Sequence, residues 1–371
     1  MMSARFLTVV LERAFNMRDG FGREIDYMRI SVIDSCNLNC YYCNPCDNNE
    51  HCHALNILSV KEVLCIVRAA TRLGIKHFRL TGGEPLLHPQ LDEMVLQIKK
   101  IPGVSSVSLT TNAVLLAQHA KWLKEAGIDS INVSLDTIDA SEYERITKKP
   151  LLEEVKHGIN AAIECGIRVK INVVLTPQTD VVALTRYVAK KGTDIRFIEM
   201  MPVGEGHTNG VEPYKKVIGT LSKLYGEPCR INTEKTKEIN SGNDKRKIPD
   251  NGPAEYYIFP ELGIRVGLIQ AIHGKFCDTC NRIRVTADGR LMPCLGSSVT
   301  MDLVPDSWEF ADDVEKDFAI VRALRAAIKA KPRCHNFNDN AVTYTKTTET
   351  KTTEIEAAEV NAARNMSRIG G

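Results

Sequence analysis

Between Tyr27 and Met201 the chain repeats one phrase, a short β-rich run, a loop and then an amphipathic segment. The runs are YMRISVID (27–34), KHFRLT (76–81), VSSVSLTT (104–111), DSINVSLD (129–136), RVKINVVL (168–175) and DIRFIEMM (194–201). One intervening segment starts at Ser59 with Glu62 three residues later, the signature of a capping box. It runs through Val63, Ile66, Val67, Ala70 and Leu73 at helical spacing, and Gly74 stops it. Similar helices are predicted near 89–100, 114–126, 151–165 and 180–191. Strand and helix alternating at this period predict a parallel sheet wound by right-handed crossovers. Six units are visible, whereas a closed eightfold barrel needs eight. The predicted fold class is therefore α/β, an incomplete (βα)6 TIM-like barrel.

In parallel α/β folds the working residues gather at the carboxyl ends of the strands, and the unusual residues of this chain fall there. A cysteine cluster follows the first strand and TGGEP follows the second; Thr110 and Asn112 close the third, Ser134 and Asp136 the fourth, and Met200 and Met201 the sixth. After about residue 215 the rhythm breaks. A polar, turn-rich stretch (231–255) precedes the short strands EYYIF and IRVGLI, a second cysteine group and a last helix near 314–330. The Thr/Glu-rich stretch 344–365 then leads to the terminal MSRIGG. Three units are expected: a barrel over 1–215, a C-terminal extension over 216–335 and a low-complexity tail over 336–371.

Composition narrows the functional classes. A formal net charge of +2 gives no general affinity for nucleic acid or acidic membranes, so an anionic ligand needs a local cluster of Lys and Arg. Twelve cysteines in 371 residues are many for an intracellular protein and too dilute for a disulfide-stapled secreted module. Metal or redox chemistry is the better explanation. No secretory leader is expected and no run of about 18 apolar residues exists to cross a membrane, so the expected setting is cytoplasmic, or the mitochondrial matrix in a eukaryote.

Four cysteines crowd the segment SCNLNCYYCNPC, with Cys36, Cys40, Cys43 and Cys46 spaced x3, x2, x2. That is the reverse of the bacterial ferredoxin spacing. Four thiolates could hold tetrahedral zinc, although paired knuckles usually join two separated Cys pairs. Alternatively, Cys36, Cys40 and Cys43 hold three irons of a cubane and leave the fourth iron open to a small ligand. CNLNCYYC, with an aromatic before its last cysteine, resembles the radical S-adenosylmethionine (SAM) superfamily, and TGGEP (81–85) one βα unit later strengthens the resemblance. The superfamily chelates SAM on the open iron and cleaves it reductively to a 5′-deoxyadenosyl radical, which demands a potential near the low end of the roughly −700 to +450 mV open to iron–sulfur proteins. Cys46, Cys52, His51 and His53 lie outside the pattern, and Cys46 is expected to be a bystander.

A second group, FCDTCNRIRVTADGRLMPC, supplies Cys277, Cys280 and Cys294. A structural zinc site would want a fourth ligand, and His273 is near enough in sequence to be considered. Arg282 and Arg284, two positions apart in a β-like run, put both guanidiniums on one face. Two fixed forks beside a metal centre suit an anion.

The ordered set DYMRISVIDSCNLNCYYC, FRLTGGEPLL, LTTN, INVSLD, VKINVVL, RFIEMMPVGEG, FCDTCNRIRVT and MSRIGG resembles the GTP 3′,8-cyclase family, the first enzymes of molybdenum-cofactor biosynthesis, over about residues 15–335 and the last six. The resemblance implies two 4Fe-4S clusters, one on Cys36, Cys40 and Cys43 and one on Cys277, Cys280 and Cys294. It implies SAM against Tyr42, Gly83, Ser134 and Met201. GTP would meet Arg29, Arg79, Thr110, Lys170, Arg282, Ile283 and Arg284, and the tail glycines Gly370 and Gly371 would reach the active site beside Arg282 and Arg284. Implied partners are GTP, an external low-potential electron donor and a downstream pyranopterin-forming enzyme, with a homodimer allowed and neither nucleic acid nor membrane involved. Each side chain also has an ordinary reading: Ser134 and Thr110 as strand termini, Met201 as core, Lys170 as a surface residue. Two departures stand out, a loop after Cys43 unusually rich in cysteine and histidine and the lengthened tether before MSRIGG. Competing readings are another radical-SAM enzyme with an auxiliary cluster, such as a peptide modifier, and a non-catalytic iron–sulfur or zinc protein.

Overall fold

The computed structural model describes residues 17–43, 56–202, 213–231, 252–297, 299–303, 313–335 and 337. Each of the six β-rich runs forms a strand: β1 Tyr27–Ser31, β2 His77–Thr81, β3 Ser106–Thr111, β4 Ser130–Ser134, β5 Val169–Val174 and β6 Asp194–Ile198. Between them lie α1 Val60–Arg72, α2 Leu91–Lys99, α3 Leu116–Glu125, α4 Ala140–Thr147, α5 Leu152–Glu164 and α6 Val181–Lys190. The capping box is present: Ser59 Oγ accepts from Glu62 N at 3.3 Å, and the Glu62 carboxylate accepts from Ser59 N at 2.7 Å. Gly74 takes the left-handed conformation (φ +86°) that closes the helix. Helix α4, which the hydrophobic pattern did not single out, is capped by Asp139, whose carboxylate accepts from Glu142 N at 2.8 Å, and it ends at Lys148 with φ +61°.

Strands β1 to β6 are neighbours in chain order and all parallel, as right-handed winding predicts. The extension adds a strand at each edge. After α7 (Pro213–Tyr225) and the short β7 (Cys229–Arg230) and β8 (Glu255–Ile258), strand β9 (Arg265–Ile269) joins β6 in parallel. Strand β10 (Arg282–Val285) joins β1, also in parallel, with Tyr27 opposite Arg282 and Arg29 opposite Arg284. Strands β11 (Arg290–Met292) and β12 (Met301–Asp302) continue that edge antiparallel, and α8 (Asp313–Lys329) packs on α1. The parallel core thus has eight strands where the sequence pattern shows six. Among the described residues β9 and β10 are not paired with each other, so the sheet stays open.

Along every core strand the side chains alternate. Met28, Ile30, Phe78, Leu80, Val107, Leu109, Ile131, Val133, Ile171, Val173, Ile195 and Phe197 are at most 1% exposed and belong to the hydrophobic core. The positions between them are polar: Arg29, Arg79, Ser108, Thr110, Asn132, Lys170, Asn172, Asp194 and Arg196. A parallel sheet buried on both faces ordinarily reads as continuous apolar runs, so strict alternation marks this concave face as a place for a polar ligand. Both ends of each strand are tied by the ladder, which fixes the polar groups in rows.

Gly158 on α5 is the closest packing point between α5 and the β3–α3 connection. A Cβ there would lie 2.4 Å from the Ala113 carbonyl oxygen and 3.0 Å from Leu116 Cβ, and Ala113 itself sits at φ +66°. Gly158→Ala is therefore expected to destabilise the protein by about 1–3 kcal/mol, although alanine is the better helix former by about 1 kcal/mol. A lowered urea midpoint checks this, and an unchanged or raised midpoint would show that the helix moves freely there.

Candidate active site

The mouth of the barrel holds a cavity of about 310 Å³ lined by both cysteine trios, Cys36, Cys40 and Cys43 on one side and Cys277, Cys280 and Cys294 on the other. Arg29, Arg79, Thr110, Arg282 and Arg284 lie between them, and Tyr42, Gly83, Ser134 and Met201 also line it. Two of the expected substrate residues do not. Ile283 pairs with Met28 in the core on the opposite strand face and is 1% exposed. Lys170 is buried in the sheet at the level of Asn132 and Asp194, off the lining. Gly370, Gly371, Cys46, Cys52, His51 and His53 lie outside the described residues.

The first trio sits on a loop that starts where β1 ends and is built against β2. A Cβ on Gly82 would be 2.4 Å from the Ile33 carbonyl oxygen, and one on Gly83 would be 2.1 Å from that of Ser35. Gly83 N donates to Ile33 O at 2.8 Å and Glu84 N to Ser35 O at 2.7 Å. The two glycines therefore let one piece of backbone lie on another, directly behind Cys36. The far side of the loop is held to α4: Asn39 N donates to Thr147 O at 3.0 Å and Tyr41 N to Ile146 O at 3.1 Å.

Two buried carboxylates organise this end, Glu84 from TGGEP and Asp136 from INVSLD. Glu84, fully buried within GGEP, accepts from Thr111 Oγ1 at 2.7 Å, Asn112 N at 2.7 Å and Leu86 N at 3.0 Å. Asn112 in turn directs its amide at the first cysteine, Nδ2 lying 3.7 Å from Cys36 Sγ and donating to Asn37 Oδ1 at 2.7 Å. Its Oδ1 accepts from Val114 N at 3.0 Å, which fixes the amide's orientation. Asp136, at the end of β4, accepts from the Tyr42 hydroxyl and from Val174 N. Burial pushes Asp136 up to about 6, against the hydrogen bonds from Tyr42 and Val174.

The thiols report opposite surroundings at the two ends. Burial, then Glu84, pushes Cys36 up to about 12; burial and Asp136 do the same to Cys43. Cys40 is raised well above its ordinary value by burial and the neighbouring Cys43. At the second trio burial raises Cys277, whereas for Cys280 it is outweighed by Arg282 and Lys331, and the thiol is lowered. Burial, then Arg284 and Arg79, lowers Arg29 well below the usual guanidinium range; burial and Arg282 lower Arg284 to about 10. Guanidiniums stay charged at neutral pH, so these shifts register burial first and the mutual repulsion of neighbouring arginines second. Arg282, Thr81 and Asn132 line the cavity, and their Nε, Oγ1 and Oδ1 atoms are buried with no hydrogen-bond partner among the described residues.

The trios fit iron–sulfur clusters better than single ions. All six thiols are free, and among the described residues no three His, Cys, Asp or Glu side chains converge on a point that one ion could occupy. Tetrahedral zinc needs such convergence, with Zn–S about 2.3 Å, while the corners of a cubane spread its ligands wider. His273 is not among the residues lining the cavity, and its Nδ1 is tied to the buried carboxylate of Glu199. His335 lines the cavity with the second trio, its Nε2 on Ala271 O at 2.7 Å.

Sequence reading missed several lining residues. Tyr27, whose hydroxyl accepts from Arg79 Nε at 2.5 Å, and Arg196, whose Nε donates to Asn172 Oδ1 at 2.9 Å, both face the cavity. Their signal was the period-2 alternation of β1 and β6. Burial alone would raise the Tyr27 phenol, but Arg79 and Arg29 together bring it below its ordinary value. Lys331 left no pattern at all.

Burial pushes Glu84 up to about 7 from 4.5, against the hydrogen bonds from Asn112, Leu86 and Thr111. The folded state therefore binds a proton that the unfolded chain releases, and stability falls as pH rises from about 4.5 to 7, by on the order of 3 kcal/mol. Glu84→Gln removes that titration. Its unfolding free energy, measured in urea at pH 5, 6 and 7, should decline less steeply than that of the wild type; parallel slopes would refute the assignment.

Comparison with known proteins places this geometry in a family. Residues 30–183 match the family model described as the Radical SAM superfamily, and residues 193–337 match the model described as Molybdenum Cofactor Synthesis C. The GTP 3′,8-cyclase of Clostridium perfringens (strain 13 / Type A) is 35% identical over 324 residues, covering 86% of this chain and 95% of the relative. That of Pelotomaculum thermopropionicum is 37% identical over 327 residues, covering 86% and 95%. Among solved structures, Streptococcus suis SuiB bound to S-adenosylmethionine matches with a TM-score of 0.54 at 14% identity, over 81% of this chain and 68% of that one, which shows a shared fold. With the two trios and the cationic wall between them, these matches establish that the chain belongs to the GTP 3′,8-cyclase family of the radical SAM superfamily.

Proposed function

We infer that the chain converts GTP to 3′,8-cyclo-7,8-dihydro-GTP, the first step of molybdenum-cofactor biosynthesis. The observation that carries this reading is the single cavity in which two separate thiol trios face each other across a wall of arginines. A first 4Fe-4S cluster held by Cys36, Cys40 and Cys43 would, with SAM, supply a radical able to take the C3′ hydrogen of the ribose; joining C3′ to C8 of guanine at the 7,8-dihydro level would further take one electron from a reductant and one proton. A second 4Fe-4S cluster held by Cys277, Cys280 and Cys294 would supply a binding position for the guanine.

In this reading Cys36, Cys40 and Cys43 hold the first cluster and Cys277, Cys280 and Cys294 the second. Tyr42, Gly83, Ser134 and Met201 face SAM. Arg29, Arg79, Thr110, Arg282 and Arg284 bind GTP, with Lys170 acting from behind the lining, and Gly370 and Gly371 complete the site from the tail. What supports the GTP assignment is charge: Arg29, Arg79, Arg282 and Arg284 sit on three adjacent strands, and guanidinium forks match phosphate oxygens in geometry as well as sign. A radical is steered by distance, so the chain's task is positioning. Tyr27 fixes Arg79, and the Asp136–Tyr42 contact fixes the SAM end.

The barrel would occupy 1–215, the substrate and second-cluster region 216–335 and the tail 336–371. An external low-potential donor supplies the electron and a pyranopterin-forming enzyme takes the product, with no nucleic acid or membrane as partner. The setting is cytoplasmic, or the mitochondrial matrix in a eukaryote, and a homodimer is compatible with the reading. No described helix is long and apolar enough to cross a membrane.

The reading is tested by oxygen-free incubation of the reconstituted enzyme with SAM, dithionite and GTP deuterated at C3′. Deuterium should appear in 5′-deoxyadenosine. Deoxyadenosine without the label, or SAM cleavage indifferent to GTP, would overturn the substrate assignment. Arg284→Ala should weaken GTP binding at least about tenfold, since a charge-assisted hydrogen bond is worth about 1.5–3 kcal/mol, while uncoupled SAM cleavage persists; loss of both together would contradict this division of roles.

A further inference from the structure

We propose that Lys331 is the positioning residue of the second thiol trio: its ammonium fixes the spacing of the cysteine-bearing segments and supplies the charge beside Cys280. The proposal rests on the two-cluster reading above.

Lys331 follows α8 and is 3% exposed, an unusual place for a lysine. Its Nζ donates to Arg282 O at 2.8 Å and to Pro293 O at 2.8 Å. The first carbonyl lies two residues after Cys280 and the second one residue before Cys294, so one ammonium bridges the two arms that carry these ligands. Both of these acceptors belong to the trio's own surroundings, and buried charge is expensive unless it is hydrogen-bonded. The same ammonium lowers the Cys280 thiol, after Arg282.

The neighbouring residues extend the same clasp to the third cysteine. Arg23, in a buried ion pair with Asp19 at 2.5 Å, donates through Nη1 to Cys277 O at 2.6 Å and Arg333 O at 2.9 Å, and through Nη2 to Pro332 O at 2.6 Å. Through Arg23 and Lys331 the segment 331–333 is therefore tied to all three cysteine arms, and Lys331 adds its charge to that of Arg282 beside Cys280. A cluster gains negative charge on reduction, so a fixed cation there favours the reduced form, the usual way hydrogen bonds and nearby charge tune such centres. Holding Arg282 O also fixes the strand start from which the Arg282 guanidinium is presented to the cavity.

The test is a potentiometric titration of anaerobically reconstituted wild type, Lys331→Met and Lys331→Arg, followed by electron paramagnetic resonance, with iron content measured in parallel. Lys331→Met should lower the reduced-to-oxidised ratio of the second cluster at fixed potential about tenfold, a shift of 59 mV for a one-electron couple, while the first cluster's midpoint stays unmoved. Lys331→Arg should keep most of the wild-type value. Selective loss of the second cluster's iron in Lys331→Met, with iron kept in Lys331→Arg, also supports the role. An unmoved second-cluster midpoint in Lys331→Met overturns it, as does loss of that cluster from both variants. A wild-type enzyme without a second cluster signal would instead sink the two-cluster reading itself, and this assignment with it.

Discussion

Like charge crowded into the inner face of a parallel sheet is the constraint on which this molecule turns. Arg79 on β2, Arg29 on β1 and Arg284 on β10 occupy one row of the ladder, side by side at the spacing of adjacent strands, and Arg282 stands one inward position away. Strands are about 4.8 Å apart, a distance at which unscreened like charges repel by kilocalories per mole. Backbone pairing holds them there regardless, because each strand is anchored through its apolar face to the helices outside. The apolar half of every strand thus supplies the stability that the cationic half opposes. A polyanionic ligand reverses the sign of that repulsion, and the row of arginines becomes complementary to it.

The cavity is polarised along its length. Glu84 and Asp136, both buried, stand behind the first trio, whereas Arg282 and Lys331 stand beside the second. Negative surroundings disfavour the addition of an electron and positive ones favour it. The surroundings of the first trio thus oppose added negative charge, while those of the second favour it. Neither pattern follows from the net charge of +2, which averages them away.

Much of this was legible in the sequence, and what was not has a common cause. Strands β1 to β6 announced themselves because each buries alternate residues and is followed by its own helix. Arg29, Arg79 and Thr110, named from the family resemblance, line the cavity. Strands β9 and β10 were invisible as barrel strands, since each pairs in parallel with a strand from which it is separated by intervening elements or nearly the whole chain, and no local periodicity encodes a partner more than 250 residues away. In NRIR the two arginines face in and the Ile283 side chain between them faces the core, so only its backbone is on the cavity side. Lys331 and Arg23 act through backbone carbonyls of other segments, and a carbonyl leaves no trace in the sequence. His273, considered only as a fourth ligand for a zinc site, is bonded to the buried carboxylate of Glu199.

The glycines of TGGEP show how a motif can be right in place and different in reason. Two residues without side chains after a strand read as an open cradle for a ligand. In the structure Gly82 and Gly83 are filled from behind by the 33–35 backbone, so their missing Cβ atoms admit the protein's own chain. Gly83 still lines the cavity with its other side. The consequence is mechanical: the loop that ends β2 and the loop that carries Cys36 are one body, locked by Gly83 N to Ile33 O and Glu84 N to Ser35 O. Glu84 then extends the lock to β3 through Thr111 and Asn112, and Asn112 returns to Cys36. Three consecutive strand ends are thus coupled around a single sulfur, which is what a site that controls its chemistry by distance has to achieve before any ligand arrives.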